Sequence, residues 1–274
     1  MVIVDAQIHL WDKGTPSAHH RQQPYSAEEA IAGMDAAGVD RALIHPVLWD
    51  PDSNELALNA VRQYPDRFAV MGWFYLDDPA GRDLVAHWKE RPGMLGLRFY
   101  TNERHPQSWF TDGTLDWLWP AAERAQVPVA LGAAMFLPTV GRIAERHPGL
   151  KLIVDHMGVP RASTGAAAYR FQPELLALAR YPNVAVKATG QAGYAEDQYP
   201  FRSLHPHLKR CFEAFGPERM FWGTDITRMP CSWRQCVSLF TEELPWLKDR
   251  DRDLVMGEAL CHWIGWPVSG GAGS

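Results

Sequence analysis

The chain has 274 residues, 46% of them hydrophobic and 22% charged, which suits one large globular domain or two small ones. A net charge of −5 with no Lys/Arg run excludes an electrostatic nucleic-acid partner. The start lacks a leader-like basic and apolar pattern, the longest nearly apolar stretch (Val127 to Pro138) is too short to span a bilayer, and Cys211, Cys231, Cys236 and Cys261 have no C-x-x-C spacing, so a cytoplasmic protein without a membrane partner is expected.

In chain order, apolar β-rich runs are predicted at Val2–Ile8, Arg41–Pro46, Phe68–Trp73, Met94–Phe99, Val127–Leu131, Lys151–Asp155, Val184–Ala188 and Met220–Gly223. Their near-continuous apolarity fits parallel strands covered on both faces. Helical patterns separate them. The first is capped by Ser26 and ended by Gly38. The others are Asn54–Tyr64, Ala80–Glu90, Thr114–Ala125, Thr139–His147, Gln172–Tyr181, Leu204–Phe215 and Trp233–Leu244. Four returns carry a proline (Pro65, Pro148, Pro182, Pro217) that stops a helix and feeds the next strand. Eight such units predict a single-domain α/β fold, a (β/α)8 TIM barrel over residues 1–268, with a flexible Gly/Ser-rich tail at 269–274. The rival, a doubly wound sheet, calls for a Gly-rich turn after the first strand; His9-Leu10-Trp11-Asp12 stands there instead.

A barrel of this type works at the C-terminal ends of its strands. Those ends present Gln7 and His9, His45, Trp73, Arg98 with Tyr100, the region of Gly132, Asp155-His156, Lys187, and Thr224-Asp225 with Arg228 close behind. Gln7 and His9 share one strand face, so a His at position 7 would make a chelating His-x-His; Gln7 is a poor ligand for a transition metal. Asp225 reads either as a general base or as a helix cap, and His156 and His9 as functional or as structural polar residues. Arg98 offers a planar fork for a carboxylate or an ion pair with a neighbouring acid. Lys187 fits a salt bridge or a substrate contact, and His45 pocket lining or loop packing. His19-His20 and His205/His207 lie in loops or at a helix start, and most of them read as surface. Tryptophans and tyrosines after the strand ends suggest an aromatic pocket for a ring-shaped substrate.

The opening Val4-Asp5-Ala6, Gly96-Leu97-Arg98, Asp155-His156-Met157-Gly158 and the stretch from Gly216 to Asp225 together resemble the amidohydrolase superfamily. The likeness is to the amidohydrolase-related branch that includes 2-pyrone-4,6-dicarboxylate lactonase and sugar-lactonase relatives, and it runs over nearly the whole chain. It implies that the superfamily's first-strand His-x-His is Gln7 and His9, its strand-six His is His156 and its strand-eight Asp is Asp225, with no strand-five His near Gly132. Two missing imidazoles imply no binuclear centre and, since some members of this branch work without metal, no cofactor. The alternative is one divalent metal, such as zinc, on His9, His156 and Asp225.

The expected activity is hydrolysis of the C–O ester bond of a carboxylated ring lactone or similar small ester. Asp225 would activate water, and His9 and His156 would donate to the carbonyl oxygen. Gln7, His45, Trp73, Arg98, Tyr100, Arg161, Lys187 and Arg228 would bind the anionic substrate. The alternatives are a metal-dependent decarboxylase of an aromatic acid and a non-catalytic small-molecule-binding barrel. A homodimer is the expected assembly.

Overall fold

The computed structural model describes residues 1–267, so the tail expected at 269–274 lies outside the described residues. Eight parallel strands follow one another in sequence order: β1 (Val4–Ile8), β2 (Arg41–Ile44), β3 (Phe68–Gly72), β4 (Met94–Tyr100), β5 (Val129–Gly132), β6 (Leu152–Val154), β7 (Val184–Ala188) and β8 (Met220–Trp222). Each pairs with the next, and helices connect them, giving the expected (β/α)8 barrel. Helix α1 (Ala27–Ala37) starts at Ser26, whose side chain accepts from the Glu29 amide, and ends at left-handed Gly38. Two of the expected helices are shorter: the second half of each tightens into a 3₁₀ turn, at Trp88–Glu90 and Leu178–Arg180.

The core has two parts. The larger lies between the strands and the outer helices. The smaller fills the barrel floor with Val4, Ala6, Leu43, Ala69, Met71, Ala130, Ile153, Ala185 and Phe221, closed from below by Leu260, Cys261 and Ile264 of a C-terminal helix (Ala259–Ile264). The sequence reading did not identify that helix.

The seam between β8 and β1 is closed by a buried carboxylate. Asp5 accepts from the Thr224 amide (2.8 Å), the Thr224 hydroxyl (2.5 Å), the Gln7 amide (3.0 Å) and the Trp233 indole (2.9 Å). Burial pushes its carboxyl up to about 7, and these four donors oppose that rise by holding the charged form. The Asp225 amide also donates to the Gln7 carbonyl (2.8 Å), which ties the two strand ends together. No helix among the described residues is long and apolar enough to cross a membrane.

Candidate active site

The floor residues and the mouth residues follow one period of two. Leu43 leads to His45, Met71 to Trp73, Ala130 to Gly132, Ile153 to Asp155, Ala185 to Lys187 and Phe221 to Asp225. On β1 that rule breaks. Ala6 belongs to the floor, yet Gln7 and His9 reach the centre. The register slips between Asp5 and Ile8, so an irregularity in β1 re-aims the two side chains.

Gln7 is fully engaged. Its Oε1 accepts from the Lys187 ammonium (2.8 Å), a group that can only donate, and this fixes the orientation of the amide. Its Nε2 then donates to Nε2 of both His9 and His156, 3.3 Å from each. The far sides of the rings agree with this. His9 Nδ1 donates to the His45 carbonyl (2.5 Å), and His156 Nδ1 meets the Thr189 hydroxyl (2.8 Å) and carbonyl (3.3 Å). Both rings therefore present Nε2 lone pairs to the centre. His156 sits on left-handed backbone (φ 53°), which is costly for a non-glycine residue. Burial and then the Arg228 charge lower its imidazole to about 3, so it is neutral at pH 7.

Asp225, 2% exposed, also sits on left-handed backbone (φ 58°). Its Oδ2 forms an ion pair with Arg228 Nε (2.6 Å), and Arg228 Nη2 donates to the Tyr194 hydroxyl (2.5 Å). Gly190 leaves the room: a Cβ there would lie 1.9 Å from Arg228 Nη2. Burial works to raise the Asp225 carboxyl, but the Arg228 charge opposes it, and the carboxyl is held well below the ordinary range. Oδ1 lies 3.1 Å from His9 Nε2 and receives no hydrogen bond. Two acceptors thus face each other in a buried site, an arrangement that a proton or a metal ion between them satisfies.

His20 completes this side. It is 8% exposed, its ring meets His9 edge-on with centroids 5.2 Å apart, and it packs against Trp11 and Trp49. Its Nδ1 bonds the Thr227 hydroxyl (2.8 Å). Burial lowers its imidazole to about 3. His9, His20 and Asp225 each offer one ligand atom, all within 4.8 Å of one another. Two imidazoles, a carboxylate and an unfilled buried acceptor fit a divalent transition metal. His20 read as a surface residue in the sequence; its burial in the site corrects that. The available signal was its position in the loop after β1, on the reactive face of the barrel.

The opposite side is filled with matched charge. Asp155 forms ion pairs with Arg98 (2.7 Å) and Lys187 (2.7 Å). Burial favours its neutral form, but the two cations hold its carboxyl far below the ordinary range. Burial lowers Lys187 to about 8, and Asp155 limits that fall. His45 Nε2 lies 3.0 Å from the Ala6 carbonyl and 3.2 Å from Lys187. Arg98 and Arg161 flank the Tyr100 ring at 5.2 and 4.7 Å. Tyr100 also occupies the space of the missing strand-five ligand, since a Cβ on Gly132 would lie 2.8 Å from the Tyr100 Cβ. Trp73 lines β3's end and meets Tyr75 edge-on (4.9 Å). Arg161 is exposed and pairs with no carboxylate among the described residues.

A family model described as amidohydrolase matches residues 4–272. An L-fucono-1,5-lactonase of Burkholderia ambifaria is 23% identical over 95% of this chain and 94% of its own. Among solved structures, an amidohydrolase from Burkholderia multivorans with bound zinc aligns with a TM-score of 0.82 at 20% identity, over 97% of this chain and all of that one. A probable 2-pyrone-4,6-dicarboxylic acid hydrolase of Acinetobacter baumannii, with citric acid bound, aligns at 0.76 and 15% identity, over 97% and 100%. A 5-carboxyvanillate decarboxylase of Sphingomonas paucimobilis aligns at 0.66 and 16%, over 96% and 99%. These findings correct the expectation of no cofactor. The described residues present a His–His–Asp group that fits a divalent ion, and a structure of the same architecture carries zinc.

Proposed function

The chain belongs to the amidohydrolase family and is a hydrolase, and from that premise we propose that it opens a small ring lactone by adding water across the C–O ester bond. One observation carries the proposal: Asp225 is pinned through Oδ2 while Oδ1 is left bare beside His9, at the mouth of the barrel. The Asp225 carboxylate takes a proton from the attacking water, and oxygen adds to the lactone carbonyl carbon. The ring C–O bond breaks, and the proton passes to the departing alkoxide, giving a hydroxy acid. A depressed carboxyl is always ionised near neutrality, so the accepting form is permanently present. Because Nε2 of His9 and His156 accepts from Gln7, we assign those rings to ligation and positioning rather than to donation. His9, His20 and Asp225 would hold the metal, which supplies positive charge at the carbonyl oxygen and a more acidic water. Arg161 and Arg98 receive a carboxylate on the substrate ring, with Tyr100 between them.

A second reading, a neutral sugar lactone, is favoured by the curated relative named L-fucono-1,5-lactonase. Decarboxylation has weaker support, from structures that align less well. Family membership sets aside the non-catalytic barrel. We place the enzyme in the reducing cytoplasm, on cysteines left as thiols, and expect a two-fold dimer. The test is acid release by the purified, zinc-supplemented protein from a panel of 1,5-aldonolactones and carboxylated pyrone lactones. Release from any of them supports the proposal. No release from the whole panel, with carbon dioxide formed from carboxylated phenols, overturns it.

A further inference from the structure

We propose that the metal of this chain is held with the help of the β1 loop: one zinc-class ion sits on His9, His20 and Asp225, and His156 stands outside the ligand set. The two oxygens of Asp225 carry the argument. His156 Nε2 lies 3.8 Å from Asp225 Oδ2, the oxygen already paired with Arg228 at 2.6 Å, and it accepts from the Gln7 amide at 3.3 Å. The amide cannot turn away, because Lys187 holds its oxygen at 2.8 Å and Asp155 holds Lys187 at 2.7 Å. His9 Nε2 receives the same amide at 3.3 Å, but it also faces the bare Asp225 Oδ1 at 3.1 Å, and an ion there relieves the approach of two acceptors.

The third ligand comes from a loop rather than a strand. His20 is oriented by Thr227 through Nδ1 and clamped by Trp11 and Trp49, the kind of outer support that metal-binding imidazoles have. Three protein ligands with an open fourth position is the usual arrangement of catalytic zinc. His156, expected as the ligand from strand six, becomes a positioning residue that anchors Gln7.

Zinc titration calorimetry and metal content of the stripped, full-length protein test this without substrate, so a failure here and a failure of the lactonase reading are distinguishable. The wild-type chain is expected to take one equivalent. His20→Ala should weaken binding on the order of 100-fold or more, and Thr227→Val about tenfold, with Thr227→Ser restoring it. His156→Ala should stay within about threefold of wild type, since it removes no ligand. Loss of zinc in His156→Ala with retention in His20→Ala, or no binding by the wild type, overturns the proposal. Circular dichroism checks each fold; if His20→Ala does not fold, Thr227→Val decides, because it leaves the ring packing intact, and unchanged affinity there counts against His20.

Discussion

Around β4, β6 and β7 the buried charges at the barrel mouth are matched; around β1 and β8 they are not. Asp155 lies between Arg98 and Lys187, each 2.7 Å away, and Lys187 also reaches Gln7. Asp225 has one oxygen on Arg228 and the other facing an imidazole lone pair. The two carboxylates end equivalent strands of one barrel, so their different surroundings separate their work. The matched side is a scaffold that holds Gln7 and the rings still. The unmatched side keeps a demand for positive charge, which a metal ion or the proton of an attacking water satisfies.

The two sides differ most at Asp225. Asp225→Asn keeps the shape and removes the charge. It should cut kcat/KM about a thousandfold or more while the circular dichroism spectrum is unchanged; retention of a tenth of the activity would deny this side its role. The matched side is probed by stability. Lys187→Met strips one cation from buried Asp155 and bares the Gln7 oxygen, and should cost about 3 to 5 kcal/mol in urea unfolding. A loss below about 1 kcal/mol would show that these charges are not a scaffold.

Acid should weaken the fold in two stages in the metal-free protein. His156 titrates at about 3 when folded and near 6.5 when unfolded, so below 6.5 the unfolded chain binds more protons and stability falls. From pH 7.5 to 5 this one ring accounts for about 2 kcal/mol, read as a lower denaturation midpoint. The depressed Asp155 and Asp225 stabilise the fold above about 4, and that contribution is lost as pH falls further. Asp5, raised to about 7 in the folded chain, works in the opposite direction over this window, so the ring is read as the difference between wild type and His156→Ala; equal profiles for the two would contradict the buried neutral ring. The smallest effect sharpens the substrate. Arg161→Met should lower kcat/KM about tenfold on a carboxylated lactone and leave a neutral sugar lactone nearly unchanged. Equal effects on both would remove Arg161 from recognition.

Most of the barrel can be read from apolar runs, because parallel strands covered on both faces need them, and β7 falls at Val184–Ala188 as expected. The period of two carries from floor to mouth on six strands, which is why His45, Asp155, Lys187 and Asp225 were legible. It misleads on β1, where the register slip decides the direction of Gln7. His20 was hidden for another reason. Its neighbours in sequence are polar, and its burial comes from Trp11, Trp49 and a Thr227 that is 207 residues away. The function of Gln7 also depends on a distant partner, the Lys187 that fixes its amide.

Asp5 has one more consequence, which concerns time rather than energy. Its partners Thr224 and Trp233 lie 219 and 228 residues further along the chain. A nascent chain can build its early strand–helix units as they emerge, but the first strand waits for almost the last segment before its carboxylate is satisfied. Asp225 arrives with that same segment and is tied to Gln7 there. The reaction centre therefore comes into being only as the barrel seam closes, and a chain interrupted before Thr224 lacks both the seam and Asp225.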